Sequence, residues 1–287
     1  MADAVNKGFL HENFRLFHLR DSLAHAVEPH YHSFDKIVAV WSGQVEYTVE
    51  GVCYSLGPGD ILFVRHNDIH RPVISPEVAY ERTVLWIAPE YLASLSTAQT
   101  GLEQCFEFAS AQRNCLYRPE PETLRALRKN LQALEGAIKD TAFGSELLSV
   151  SLFMQLMVAC NRLVLTGRPQ GARSVDPKIE EALTYISLHL DQPLNVDTIA
   201  ARCYMSRYHF MRRFKEATGY TVHGYVQQKR LLSVVEKLEE GTGVCQAAAE
   251  CGFTEYSSFL RAFRKTFRLT PTDYLRAKHQ LDSDFTE

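Results

Sequence analysis

An internal repeat in the last third of the chain constrains the fold more than any other feature. The stretch "NVDTIAARCYMSRYHFMRRFKEATGYTVHGYV", residues 195–226, aligns with "GVCQAAAECGFTEYSSFLRAFRKTFRLTPTDYL", residues 243–275. Ala200 and Ala248 match at an offset of 48 residues, whereas Phe210 and Phe259 match at 49. The same unit is therefore built twice, and the second copy has one extra residue at the start of its second helix.

Each copy predicts a short helix, a tight turn and a second helix. In the first copy Asn195 and Ser206 are suited to cap the two helices. In the second copy Gly252 supplies the turn and Thr254 the cap. Two helices that cross steeply after so short a turn need small residues at their contact, for which the candidates are Ala200, Ala201, Ala248 and Ala249.

The second helix of each copy has an apolar face and a cationic face. The apolar face carries phenylalanines four residues apart, which lie on one side of a helix: Phe210 with Phe214, and Phe259 with Phe263. This arrangement is typical of a helix-turn-helix with its second helix exposed for a DNA major groove. The alternative is a helical bundle whose basic residues form only a solvated surface.

Charge is distributed unevenly along the chain. The whole chain has a net charge of -3, yet residues 202–230 hold seven cations against Glu216 alone. Residues 255–278 hold six cations against Glu255 and Asp273. Two basic segments in an acidic chain indicate a polyanionic partner for this part of the protein. Between them Thr221–Glu240 is predicted to be one long helix, which would place two recognition helices about 34 Å apart on one face of the duplex.

Residues 178–278 resemble the DNA-binding domain of the AraC family of bacterial transcription regulators. The motifs that carry the resemblance are "IAARCYMSRYHFMRRFKEATG" with "YVQQKRLL", then "AAAECGFTEYSSFLRAFRKTF" with "TPTDYLR". One departure is Arg268, where the family usually has glycine and where the first copy keeps Gly219. The turn before Thr270 is expected to differ slightly for that reason.

The resemblance implies roles for residues on both second helices. Arg212 and Arg261 are the strongest candidates for base contacts, because a guanidinium binds guanine O6 and N7 bidentately. Lys215, Arg264 and Lys265 are assigned to phosphates. The full set of predicted DNA-binding residues is Tyr208, Met211, Arg212, Lys215, Tyr256, Ser257, Arg261, Arg264 and Lys265.

The amino-terminal part has a different pattern, of short strands broken by glycine and aspartate. Five segments between residues 35 and 89 predict strands of a small barrel or sandwich. Residues 28–72 resemble the cupin sensor of the same family, with His30, His32, the "GPGDI" turn and His70 as landmarks. In metal-binding cupins a glutamate is expected where this chain has Lys36. Since an ammonium cannot ligate a cation, no metal is expected. No other cofactor is expected either.

A small effector is nevertheless expected inside the barrel. The candidate ligand-binding residues are His32, Lys36, Tyr47, His70 and Arg82. The cations Lys36 and Arg82 would suit an anionic or polyhydroxyl compound. Sequence does not decide which side chains point inward, because an error of one residue in strand register reverses every assignment. The segment 1–13 is expected, from the family, to fold over the ligand.

The predicted fold class is α+β, with an amino-terminal cupin-like β-barrel and flanking helices, then an all-α domain whose two helix-turn-helix units are joined by a long helix. The domains are residues 1–166 for sensing and dimerisation, a linker at 167–177 and the DNA-binding domain at 178–279. Helices are expected at 122–140 and 144–166. They either pack on the barrel or form a dimer seam through Leu148, Leu152, Leu156 and Leu163.

The expected function is a transcription regulator that responds to a small metabolite, either a sugar or an organic acid. Activation of transcription is expected, and catalytic activity is not. Its expected partners are double-stranded promoter DNA, RNA polymerase, a small effector and a second copy of the chain. No secretory signal is apparent and the apolar stretch 147–165 is interrupted by Gln155, Asn161 and Arg162, so a cytoplasmic location without membrane contact is expected. The alternatives are a cupin metalloenzyme with an attached DNA-binding domain and a ligand-independent regulator controlled by a protein partner.

Overall fold

The computed structural model describes residues 5–6, 10, 12–21, 27–74, 79–167, 172–174 and 176–276. They form two compact units, Asn6–Ser174 and Val175–Glu287, and Val5 is grouped with the second. The first is rich in β-strands and the second is helical, so the predicted α+β class is confirmed. Most of segment 1–13, and residues 168–171 and 175 of the predicted linker, lie outside the described residues. The predicted domain boundaries remain predictions.

The first unit is built from two antiparallel sheets. One sheet has the strand order β1-β3-β8-β5-β6-β11 and the other β10-β7-β4-β9-β2. The strands that the sequence predicted within residues 35–89 are present as β4, β5, β6, β7 and β9. The strands are β1 (Val5–Asn6), β2 (Phe14–Asp21), β3 (His30–Tyr31), β4 (Asp35–Ser42), β5 (Val45–Val49), β6 (Val52–Leu56), β7 (Ile61–Val64), β8 (His70–Ile74), β9 (Tyr80–Ile87), β10 (Leu116–Tyr117) and β11 (Ala172–Ser174).

Strand β4 shows how the unit forms two cores. Side chains alternate between the two faces of a strand, so Ile37 and Ala39 lie on one side and Val38 and Val40 on the other. The first pair is buried in a cluster that includes residues of the helices. The second pair is buried among side chains of both sheets. Lys36, which shares the parity of Val38, is therefore placed on the side that faces the opposite sheet.

Among the described residues of this unit, four helices accompany the sheets. The predicted helices at 122–140 and 144–166 are confirmed as α3 and α4. Two shorter helices, before β10, were not predicted. The bounds are α1 (Pro89–Leu95), α2 (Gln104–Ala111), α3 (Pro121–Lys139) and α4 (Ser145–Thr166).

Helix α4 is long and apolar enough to cross a membrane by length and composition, and it is the one such helix among the described residues. Its buried face belongs to the core of the first unit, where Phe153 is completely buried. The amide of Asn161 accepts from the backbone N–H of Cys105 at 2.9 Å and donates to the carbonyl of Leu102 at 2.8 Å. Helix α4 is therefore attached to α2 by packing and by buried hydrogen bonds.

Part of the predicted linker is ordered as β11. Residues Ala172–Ser174 pair antiparallel with β6, with Arg173 opposite Cys53. The sequence pattern, rich in glycine, proline and serine, did not predict this strand. Its backbone hydrogen bonds are made to the edge of an existing sheet, which needs no apolar side-chain pattern of its own.

The second unit is all helical, and its long central helix is confirmed as α8. The hydroxyl of Thr221 caps α8 by accepting from the backbone N–H of Gly224 at 3.1 Å. The helices are α5 (Pro177–Leu188), α6 (Val196–Arg202), α7 (Arg207–Thr218), α8 (Val222–Glu239), α9 (Val244–Glu250) and α10 (Tyr256–Phe267). Residues 271–276 are also helical.

Equivalent side chains bury the same faces in both copies of the repeat. The predicted core phenylalanines Phe210, Phe214, Phe259 and Phe263 are completely buried. Ala200 and Ala248 are buried too, but the prediction that Ala201 and Ala249 lie at the helix contact is wrong, because both are exposed. Consecutive residues of a helix are rotated by roughly 100°, so only one alanine of each pair faces the neighbouring helix.

Candidate DNA-binding surface and ligand pocket

The two helix-turn-helix units share a plan but differ in their turns. Residues 203–206 connect α6 to α7, whereas residues 251–255 connect α9 to α10, so the extra residue lies in the second turn. One residue in each turn has a left-handed backbone: Tyr204 at a φ of 51° and Gly252 at a φ of 83°. A Cβ atom on Gly252 would lie 2.4 Å from the carbonyl oxygen of Leu190. Glycine is thus required in the second turn for space as well as for conformation.

The predicted helix caps are partly confirmed. The Asn195 side chain accepts from the backbone N–H of Asp197 at 2.8 Å at the start of α6. Ser206 holds the cap position of α7, without a hydrogen bond from its side chain. Thr254 is not the cap of α10: Glu255 has that position, one residue later, because the longer second turn delays the start of the helix.

Helix α7 presents an exposed polar face. All four of its predicted DNA-binding residues lie there, at the spacing that places them on one side of a helix. Tyr208 is 80% exposed. The Arg212 Nε lies 3.8 Å from the Glu216 carboxylate across an exposed ion pair. The four residues are Tyr208, Met211, Arg212 and Lys215.

Helix α10 presents the equivalent face in the second copy of the repeat. Arg261 is exposed and donates from Nη2 to the hydroxyl of Ser258 at 3.2 Å. Ser257, Arg264 and Lys265 are exposed as well. Tyr256 is the first residue of α10, at the place of Arg207 rather than Tyr208 in α7, and is 45% exposed.

Other basic residues of this unit serve the fold. Arg213 donates to the buried carboxylate of Asp176, with Nη2 at 2.7 Å. Arg230 donates from α8 to the carbonyl oxygens of Leu190 and Gln192, at 2.8 and 2.6 Å. These two guanidiniums are bound within the unit, so they do not belong to the exposed cationic faces of α7 and α10.

In the first unit, four of the five predicted ligand-binding residues lie together between the two sheets. Lys36 of β4 donates from Nζ to the hydroxyl of Tyr47 of β5 at 3.1 Å. The ring of Tyr47 lies 6.2 Å from that of His70, and the His70 ring lies 4.9 Å from that of His32. All four side chains are buried. Strands β4 and β5 belong to different sheets, so this group spans the interior.

His30 joins this group, although the prediction did not include it among the ligand-binding residues. It lies directly opposite His70 in the pairing of β3 with β8. One ring nitrogen from each of His30, His32 and His70 lies within 4.8 Å of the other two. The sequence signal was the spacing of two residues from His32, but the pairing with a residue 40 positions away is a property of the sheet.

Hydrogen bonds define the protonation of two of these rings. The Nδ1 atoms of His30 and His70 lie 2.8 and 2.9 Å from the carbonyl oxygens of Glu28 and Asp68. A carbonyl only accepts, so each Nδ1 carries the proton and each Nε2 keeps a lone pair in the neutral ring. Burial, then the nearby Lys36 ammonium, holds the pKa of His70 well below its usual range.

Arg82 does not join the group. It lies opposite Val40, whereas Lys36 lies opposite Trp86, four residues further along β9. Four residues of a strand span roughly 13 Å. The Arg82 guanidinium lies 4.4 Å from the centre of the Tyr80 ring. Trp86, which was not predicted, has its ring 5.8 Å from the His32 ring and takes the place next to Lys36 instead.

The histidines are suitable metal donors in type and spacing, and hydrogen bonds from Nδ1 to carbonyl oxygens are common in metal sites. The positive charge of Lys36, however, disfavours a metal cation beside these histidines. Lys36 forms no ion pair with a carboxylate among the described residues, and its ammonium acts on His70 as a positive charge. A divalent cation would face that ammonium without an anionic ligand from the described residues, so no role here is derived from a metal.

Comparison with known proteins agrees with this arrangement. A family model described as an AraC-like ligand binding domain matches residues 16–157, and one described as a helix-turn-helix domain matches residues 199–277. The chain belongs to the AraC family of transcription regulators. It is a ligand-responsive DNA-binding regulator, with a cupin-like sensor and a helix-turn-helix domain.

Relatives in the AraC family match most of the chain. The transcriptional activator RhaS of Salmonella heidelberg (strain SL476) is 26% identical over 260 residues, which are 86% of this chain and 87% of that protein. RhaS of Salmonella arizonae has the same identity and coverage. These relatives are transcription regulators.

Two solved structures are also similar. ToxT from Vibrio cholerae O395 is 15% identical over 92% of this chain and 97% of its own, with a TM-score of 0.38. The DNA-binding domain of AdpA, solved with a target DNA, is 31% identical over 35% of this chain and 91% of its own, with a TM-score of 0.33.

Proposed function

We propose that this AraC-family protein is a transcription activator that binds promoter DNA through α7 and α10 together. The observation that carries the proposal is the pair of exposed faces, each with one arginine at the equivalent position, Arg212 and Arg261. Lys215 and Arg264 follow three residues later in each helix and supply phosphate contacts. The sequence similarity to RhaS activators supports activation rather than repression.

The test is binding of the full chain to DNA selected from random duplexes. Arg261→Ala is expected to remove discrimination at one base pair, and Arg125→Ala, an exposed arginine of the first unit, is the matched control. Transcription from a promoter that carries the selected site, with RNA polymerase, then distinguishes activation from repression. Equal discrimination by Arg261→Ala and wild type would reject the assignment of α10.

We further propose that the effector binds between the two sheets, in contact with Lys36 and the histidines. An effector changes transcription only if it binds one arrangement of the protein more tightly than another. Effector binding to the folded protein is also expected to raise the melting temperature by mass action. A screen of sugars and organic acids that finds no change in melting temperature or DNA affinity would favour control by a protein partner.

We also propose that the protein works as a homodimer through the outer face of α4. Leu147 and Leu148 are 70% and 50% exposed, and Phe143 before the helix is fully exposed. The predicted seam needs one correction, because Leu156 is buried in the core of its own unit. Sedimentation equilibrium of the full chain is expected to give a dimer that Leu148→Glu dissociates. Leu188→Glu, at an exposed leucine of the second unit, is the control.

We propose no catalytic activity for the chain and place its action in the cytoplasm, where promoter DNA is found. The relatives are transcription regulators, which supports this view. A metalloenzyme would need a bound metal, so stoichiometric iron, manganese or zinc in the purified protein would favour that alternative.

A further inference from the structure

Lys36 is a buried cation for which the described part of the chain offers no anion. Lys36 is 8% exposed, and its ammonium donates a hydrogen bond to the Tyr47 hydroxyl at 3.1 Å. A tyrosine hydroxyl is neutral and occupies one of the three ammonium donors. A buried charge is costly unless it is paired, so the pocket favours a ligand that brings a negative charge.

The strand geometry holds the ammonium inside. Lys36 lies on β4 between Val64 of β7 and Trp86 of β9, with both neighbours in register. It shares the face of Val38, which is buried among side chains of both sheets. From this position the side chain crosses to Tyr47 in the opposite sheet. The ammonium therefore belongs to the interior rather than to the rim.

Two more buried polar atoms near Lys36 are not satisfied by the described residues. Nε2 of His70 has no hydrogen-bond partner and, as the neutral ring requires, accepts. Nε1 of Trp86 has no partner either, and it can only donate. Native proteins rarely leave such atoms unpaired. The pocket thus offers a cation, one donor and one acceptor to a ligand.

This combination selects among ligand classes. A carboxylate pairs with the ammonium and accepts from the Tyr47 hydroxyl, but it cannot donate to Nε2 of His70. A hydroxyl group can donate to that nitrogen and can also accept from Trp86. A plain carboxylate would leave Nε2 unpaired, and a neutral sugar would leave the ammonium without its anion.

We infer that the pocket binds a hydroxycarboxylate, such as a sugar acid, with its carboxylate on Lys36 and Tyr47 and a hydroxyl on Nε2 of His70. The inference rests on the proposed function, in which this pocket is the sensor. It narrows the effector from sugars and organic acids in general to compounds that carry both groups. Arg82, which the sequence suggested as a second cation for the ligand, has no part in it.

The test is calorimetric titration of the full chain with matched compounds. D-galacturonate, D-glucuronate, D-gluconate and tartrate carry both groups. D-galactose lacks only the carboxylate of galacturonate, and cyclohexanecarboxylate lacks the hydroxyls. At least one hydroxy acid is expected to bind more tightly than both D-galactose and cyclohexanecarboxylate, each of which lacks one of the two groups. Binding of the neutral sugar as tight as that of the acids, or no binding by any acid, would overturn the inference.

Variants of Lys36 test the role of the charge. Lys36→Met is expected to weaken binding of the hydroxy acid roughly 10- to 100-fold, the loss of one charge-assisted hydrogen bond, and Lys36→Arg to weaken it less. Lys129→Met, at an exposed lysine of α3, is the control. Lys36→Met is also expected to raise the melting temperature of the ligand-free protein, because it removes an unpaired buried cation. Unchanged acid binding by a folded Lys36→Met protein would overturn the inference.

Zinc chloride alone tests the competing occupant of the histidines. Lys36→Glu adds an anionic ligand beside three imidazoles, so this variant is expected to bind zinc more tightly than wild type and to lose the acid. Stoichiometric zinc binding of equal strength by wild type and Lys36→Glu would overturn the inference, because the metal would occupy Nε2 of His70. DNA binding through α7 and α10 would survive that result, so the two proposals fail separately.

Discussion

Each of the two helix-turn-helix copies has one residue with a left-handed backbone in its turn and another at the end of its second helix. The two copies differ in which of these two positions is a glycine. The first helix-turn-helix copy has Tyr204 in its left-handed turn and Gly219 at the left-handed end of α7. The second has Gly252 in the turn and Arg268 at the left-handed end of α10, with a φ of 62°. At these two positions, each copy of the repeat thus has one glycine and one strained residue that is not glycine. Both copies therefore have the same backbone shape, but the strained residue that is not glycine lies in the turn of the first copy and at the helix end of the second.

The largest expected effect is at the turns. Gly252→Ala is expected to reduce the free energy of unfolding by roughly 2–5 kcal/mol, from left-handed strain and from the clash with the Leu190 carbonyl. Tyr204→Ala, at the equivalent position, keeps a Cβ that is already accommodated, so it is expected to cost less than 1 kcal/mol, the usual range for exposed sites. Urea unfolding of both variants makes the comparison. Equal losses would show that the two turns are equivalent after all.

The second comparison concerns base contacts. Arg212→Ala and Arg261→Ala are each expected to cost about 1–3 kcal/mol of discrimination, at different base pairs of the selected site. Arg212 has an ion pair with Glu216, whereas Arg261 has a hydrogen bond to Ser258, so Glu216→Gln is expected to alter binding through the first helix-turn-helix copy only. Competition binding against single-base variants gives the values. Loss at the same base pair in both arginine variants would contradict the assignment.

The phosphate contacts should respond alike in the two units. Lys215→Ala and Arg264→Ala are each expected to weaken binding to all sequences. Each is also expected to reduce the slope of the logarithm of the binding constant against the logarithm of the salt concentration by about one. Titrations over a range of potassium chloride concentrations measure that slope. A variant that changes sequence preference but not the slope would instead belong with the base contacts.

The smallest effect is at the ends of the recognition helices. Arg268→Gly is expected to stabilise the protein by about 1 kcal/mol, since glycine adopts the left-handed conformation without the penalty of a side chain. Gly219→Arg is expected to destabilise it by a similar amount for the same reason. Thermal unfolding followed by circular dichroism measures both. If Arg268→Gly lowers the melting temperature, the Arg268 side chain has a stabilising contact.

The helical unit could be predicted from sequence because its signals are local. The period of the phenylalanines, the cap at Asn195 and the left-handed conformation of Gly252 all act within a few residues. The prediction was wrong where one residue of helix rotation or turn length mattered, at Ala201, Ala249 and Thr254.

The pocket could be predicted only in part, because the residues that form it come from segments far apart in the sequence. Lys36, Tyr47, His32 and His70 were named and lie together, but the place of Arg82 depends on how β4 and β9 are aligned. His30 meets His70 through β3, a strand of two residues that is too short to show a pattern. Sheet register, which is set by pairing between distant segments, carries this information.

The central claim is that two equivalent helices bind one DNA site side by side, and selection of binding sites from random duplexes tests it most directly. The full chain is expected to select a motif with two blocks about 10–10.5 base pairs apart, one turn of DNA. Repeating the selection with Arg212→Ala should erase information in one block, and with Arg261→Ala in the other. A motif with a single block, weakened by both substitutions or by neither, would contradict the account.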